Sequence, residues 1–94
     1  MMASAGSMAL LGARGPHEAT AATKLRKAGA VLLGKTNMSE WANWRCKEWL
    51  NGWSPRGGQC TGVYYPGMDA EGSSSGSGVA SCLGLAFASV GTEV

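Results

Sequence analysis

The stretch Gly72-Ser73-Ser74-Ser75-Gly76-Ser77-Gly78 leads straight into Val79-Ala80-Ser81-Cys82-Leu83-Gly84 and then Leu85-Ala86-Phe87-Ala88-Ser89-Val90-Gly91-Thr92-Glu93. Read in order, it is a loop of small hydroxylic residues, an apolar helix predicted from about Gly78 to Gly84, and a predicted strand over Leu85 to Val90. A run of Gly and Ser is by composition a flexible linker. Here it enters an apolar helix at once, and Gly78, Ala80, Ser81 and Gly84 are small enough for close backbone approach. Such a loop brings backbone amides and hydroxyls up to a reacting group.

The same alternation runs upstream. Pro16 precedes a predicted helix over His17 to Ala28, in which Ala19, Ala22, Leu25 and Ala28 recur at helical spacing. Lys24, Arg26 and Lys27 fill its last turn and Gly29 ends it. Ala30-Val31-Leu32-Leu33 is an apolar run of strand length, suited to burial on both faces. Asn37 is placed to cap a short helix from Met38 to about Trp44, with Glu40 at the reach-back position of a capping box. From Arg45 to Glu71 the chain is irregular, broken by Asn51-Gly52, Pro55, Gly57-Gly58 and Pro66. An irregular segment this long in a compact domain is commonly functional. Helix–strand, loop, helix–strand is an α/β pattern whose two strands call for a larger sheet around them.

Composition narrows the function. Ninety-four residues make one small domain or part of a larger one. Charged residues are 15% of the chain against the usual ~25%, and its 15 glycines are about twice the ordinary share. A net charge of +2, with no basic run interleaved with aromatics, argues against a nucleic-acid partner. No apolar run approaches the ~20 residues of a membrane span. Met8 to Ala13 is short and has no preceding positive residue, so a signal peptide is not expected. Cys46, Cys60 and Cys82 are odd in number, and His17 is the sole histidine, so neither a zinc site nor a closed disulfide framework assembles. Three reduced thiols in an intracellular, cytoplasmic setting are the expectation, with no metal and no cofactor.

Two further patterns invite function. Gly29 to Thr36 spells the phosphate-loop pattern G-x-x-x-x-G-K-T. Its four middle residues, however, are the apolar strand itself, and a helix precedes them where a strand should. Lys35 therefore reads as a strand-end lysine. Trp41 and Trp44, three apart on the short helix, read as core packing. Trp49 and Trp53 suit either a pocket wall or a core lid.

With these residues quoted, the chain resembles the amidase signature family, serine hydrolases of carboxamide bonds. Segments 5–10, 25–43, Gly52-Trp53-Ser54, Gly57-Gly58-Gln59 and 72–77 resemble family segments in family order, and are most similar to the peptide-amidase-like and fungal branch. The resemblance implies an α/β/α fold with a mixed central sheet, of which residues 1–94 form one partial domain, cut at both ends and without internal boundary. It implies a Ser–cis-Ser–Lys triad whose middle member falls on Ser73, after a cis peptide bond at Gly72–Ser73. Gly72, Ser74 and Thr92 match supporting positions. The family's lysine falls before Met1 and its nucleophilic serine just beyond Val94; Lys24, Lys27, Lys35 and Lys47 belong to other segments. The expected partner is a small-molecule amide bound by the complete protein. The isolated chain is expected to be inactive and poorly folded. The alternative is a short non-catalytic paralogue that acts as a binding module.

Overall fold

In the computed structural model, residues 1–44, 47–48 and 50–93 are described. The element order is a 3-10 turn at Met8–Leu10, helix α1 (Thr20–Lys27), a second 3-10 turn at Glu40–Asn43, strands β1 (Trp53–Ser54) and β2 (Gly58–Gln59), and helix α2 (Ser75–Cys82). β1 and β2 pair antiparallel, with Trp53 opposite Gln59 and Ser54 opposite Gly58.

Both helices end as their glycines dictate. Past α1, Gly29 takes φ +91°; its amide bonds Arg26 O at 2.9 Å, and Ala30 N bonds Leu25 O at 3.0 Å. Past α2, Gly84 takes φ +65°, with Gly84 N on Ser81 O at 3.1 Å and Leu85 N on Ala80 O at 3.0 Å. Each is a Schellman closure, which needs a residue free to adopt the left-handed region. The starts differ from expectation. α1 begins at Thr20 rather than His17, and Glu18, just outside it, holds Arg26 through Nε at 3.0 Å. α2 begins at Ser75, three residues before the predicted start. Glycine at 76 opposes helix by propensity. It is tolerated because the first turn packs on residues 36–37, where a side chain could not fit: a Cβ at 76 would lie 2.6 Å from Asn37 N.

The predicted strands over 30–33 and 85–90 do not form ladders among the described residues; 85–87 are a bend. A strand is completed by hydrogen bonds from a neighbour, and the described residues offer none there. Val31 is accordingly 82% exposed and Phe87 fully so. The hairpin β1–β2, unforeseen, lies inside the segment read as irregular.

The short helix over 38–44 is instead a left-handed turn. Trp41 (φ 50°), Ala42 (φ 55°) and Asn43 (φ 68°) all have positive φ. Each costs about 1–2 kcal/mol for an L-residue, so contacts must impose the shape. Trp41 N bonds Ala5 O at 3.0 Å, and Asn43 Nδ2 bonds Asn51 Oδ1 at 2.8 Å. Asn37 caps nothing: Ser39 is the residue before the turn, and no side chain caps it. Trp41 and Trp44 do not share a packed face, since Trp44 is 86% exposed. Trp49 and Cys46 lie outside the described residues.

No apolar side chain is buried among the described residues. The interior is made of serines: Ser4, Ser7, Ser39, Ser54, Ser75 and Ser77, of which Ser39 and Ser54 have no exposed surface. Buried hydroxyls are tolerable when hydrogen-bonded. Every buried side-chain nitrogen or oxygen among the described residues has a partner. Asn37 shows how: it donates to Gly52 O and Gly58 O, each at 3.0 Å, and accepts from Ser54 Oγ at 2.7 Å.

Candidate active site

The serine loop is where these polar interactions converge. The Gly72–Ser73 peptide bond is cis, at the position the resemblance assigns. Gly72 is pressed against three polar atoms: a Cβ there would lie 3.0 Å from Ser39 Oγ, 3.1 Å from Asn51 Oδ1 and 3.3 Å from Ser75 Oγ. Only glycine gives the backbone that approach without displacing a neighbour.

Ser73 is half-buried. Its carbonyl accepts from Ser39 N at 2.9 Å. Ser39 Oγ in turn accepts from Gly52 N at 2.9 Å, within the buried interior. The Ser73 hydroxyl itself makes no hydrogen bond among the described residues. The backbone at Ser73 is thus held, while the described residues leave the hydroxyl unengaged.

Ser74 and Thr92, which the resemblance matches to supporting positions, meet in the structure. Ser74 Oγ accepts from Thr92 N at 3.2 Å, so Thr92 meets the loop through its backbone rather than its hydroxyl. A Cβ at Gly91 would lie 3.1 Å from Ser74 Cβ, which keeps the passing chain tight on the loop. Ser75 Oγ donates to Glu71 O. Ser77 ties α2 to two segments at once: its Oγ pairs with Thr36 Oγ1 at 3.0 Å and donates to Val90 O at 2.8 Å. Ser89 Oγ donates back to Ser77 O at 2.7 Å. These bonds make residues 36–37 and 89–92 the two walls beside the N-terminal turn of α2.

Two residues of this frame had no functional reading in the sequence: Ser39 and Asn51. Asn51-Gly52 signalled a turn and no more, and a serine between Met38 and Glu40 carries no signal of burial. Lys35, the phosphate-loop candidate, donates from Nζ to Met2 O at 3.1 Å. Among the described residues no cluster of His, Cys, Asp or Glu is arranged to hold a metal, and no helix is long and apolar enough to cross a membrane. Cys60 and Cys82 are free thiols; partial burial raises the Cys60 pKa.

The serine-built loop, with its cis Gly–Ser bond, docks at the start of α2, and comparison with known proteins supplies the family. The Amidase family profile matches residues 1–94. The chain belongs to the amidase family. The peptide amidase PAM, solved with the competitive inhibitor chymostatin, superposes with a TM-score of 0.83 at 54% identity over 88% of this chain. A protein of Arthroderma benhamiae assigned as an amidase is 58% identical over 93 residues, or 99% of this chain. A Schizosaccharomyces pombe protein with the same assignment is 41% identical over 93 residues, again 99% of this chain. The chain spans 16% of each of these two fungal proteins and 17% of the peptide amidase.

Proposed function

We propose that residues 1–94 supply the proton-relay part of an amide hydrolase of α/β/α architecture with a mixed central sheet. Ser73 is the relay. The observation that carries this reading is a backbone fixed by Ser39 N at 2.9 Å beside a hydroxyl that has no partner among the described residues. A relay hydroxyl must be held in place yet free to accept one proton while it gives another.

The remaining groups come from outside these 94 residues. A neutral lysine, its pKa lowered by burial, takes the Ser73 proton as Ser73 takes that of a nucleophilic serine. The serine oxygen bonds to the carboxamide carbon, and the tetrahedral oxyanion is stabilised by backbone amides. The proton returns through Ser73 to the leaving nitrogen as the C–N bond breaks. Water, deprotonated along the same path, then cleaves the acyl-enzyme ester and frees the acid. Gly72, Ser74 and Thr92 hold the loop in register. The substrate class is a small carboxamide, and the identity with a peptide amidase favours a peptide-like one. By themselves the 94 residues do not turn over amides.

The test uses an intact amidase in which residues 1–94 replace the matching segment of the peptide amidase. Ser73→Ala in it lowers kcat on a peptide amide by about 10³-fold, within the range a positioned proton transfer contributes. A variant that keeps kcat within about tenfold of its parent removes Ser73 from the proton path.

A further inference from the structure

The Asn51-Gly52 pair is hydrogen-bonded at nearly every polar atom. Gln59 Nε2 donates to Asn51 O at 2.7 Å, and Cys60 N donates to Gly52 O at 2.9 Å. Asn37 Nδ2 also donates to Gly52 O at 3.0 Å, and Gly52 N donates to Ser39 Oγ. The Asn51 side chain uses both ends: Nδ2 donates to Asp69 Oδ2 at 3.2 Å, and Oδ1 accepts from Asn43 Nδ2 at 2.8 Å. A carboxylate only accepts, so Asp69 fixes which way the Asn51 amide points.

These bonds reach the serine loop from both sides. On one side Asp69 Oδ1 accepts from Glu71 N at 2.7 Å, where Glu71 sits at φ 52°. A left-handed, non-glycine residue directly before Gly72 needs such a hold. On the other side Gly52 acts through Ser39, whose amide grips Ser73 O. Between them, Asn51 Oδ1 would lie 3.1 Å from a Cβ added at Gly72. The two covalently joined residues therefore hold both ends of Glu71-Gly72-Ser73.

We infer that Asn51 is a positioning residue for the Ser73 hydroxyl, acting through Asp69 on Glu71 and by occupying the space a side chain at Gly72 would need. This rests on the relay reading of Ser73. The mispositioning that follows its loss acts on proton transfer rather than on amide binding.

Two variants of the same intact chimera test it. Asn51→Asp sets a carboxylate against Asp69 and removes the donor. Combined with Asp69→Asn, the pair is mirrored: Asn at 69 donates Nδ2 to the new carboxylate and still accepts from Glu71 N, while position 51 still accepts from Asn43. The single variant lowers kcat by about 100-fold, the scale of a displacement of about 1 Å at a reacting group, and leaves KM within about threefold. The mirrored pair restores kcat to within about fivefold, a coupling expected of residues in contact. An N51D variant with parental kcat overturns the inference. So does a mirrored pair that folds, with the parent's unfolding midpoint, but keeps the 100-fold deficit, since the bond between positions 51 and 69 is then not what positions Ser73. If the single variant does not fold, the mirrored pair decides by the same kcat criterion, and its own failure to fold also counts against the inference. Ser73→Ala run alongside separates the two readings: full activity there sinks the relay itself, whereas loss there with an unaffected N51D sinks only the role of Asn51.

Discussion

Two glycines two positions apart on α2 should respond to alanine with opposite sign. At Gly76 an added Cβ meets Asn37 N at 2.6 Å, Asn37 O at 2.7 Å and Thr36 Cβ at 2.8 Å. Comfortable carbon contacts are about 3.5–4.0 Å, so the helix start must move by about 1 Å away from residues 36–37. Overpacking of this kind costs about 1–3 kcal/mol. The displacement also stretches the 3.0 Å bond from Gly76 N to Asn37 O, for about another 1 kcal/mol. Alanine returns at most ~1 kcal/mol of helix propensity. The net is a loss of about 2 kcal/mol. Gly78 has nothing within 4 Å of an added Cβ, so Gly78→Ala collects only the propensity gain of up to ~1 kcal/mol. Urea-unfolding midpoints of the intact chimera carrying each variant measure the difference. G76A falling well below its parent while G78A equals or exceeds it supports the packing described; equal midpoints for the two variants refute it.

Three other outcomes follow from the same structure. Ser39→Ala leaves the buried Gly52 amide without its acceptor and destabilises the chimera by about 1–3 kcal/mol; a change below about 0.5 kcal/mol in unfolding free energy would show that water or another group replaces the hydroxyl. The Cys60 thiol, pushed above its ordinary pKa by burial, holds less thiolate at pH 8 than a free cysteine. Iodoacetamide should label it more slowly than the free amino acid, the rate rising with pH; labelling at the free rate contradicts the burial. The separate 94-residue chain exposes Val31, Leu33, Leu85, Phe87 and Val90 and buries no apolar side chain among its described residues. It should therefore melt without a cooperative transition, and a sharp calorimetric transition of the monomer would overturn that expectation.

What the sequence made legible was what local chemistry decides. Gly29 announced the end of α1 because a left-handed closing residue is a local requirement that few residue types meet; Gly84, predicted as the last helical residue, closes α2 in the same way. The serine loop was legible as a segment that runs directly into a helix, and it does so at Ser75. The cis bond at Gly72–Ser73 came from the family resemblance and not from composition. What failed were elements that depend on neighbours. Ala30 to Leu33 and Leu85 to Val90 have strand composition, yet a ladder requires partner strands that the described residues do not provide. The helix was predicted from about Gly78, and its start at Ser75 was hidden because the fit of Gly76 against Asn37 is a tertiary fact. The left-handed Trp41-Ala42-Asn43 turn was equally hidden, being imposed by Ala5 and Asn51 from distant parts of the chain. Asn51 and Asp69, eighteen residues apart in number, carry no motif that links them; only their 3.2 Å bond does.

The relay role of Ser73 is tested most directly by the position of its hydroxyl in a crystal structure of the intact chimera. Proton transfer in both directions requires Ser73 Oγ within hydrogen-bond reach, about 2.6–3.2 Å, of a lysine Nζ and of a second serine Oγ, both from outside residues 1–94. A Ser73 hydroxyl turned to solvent, or bonded only within its own segment, contradicts the relay.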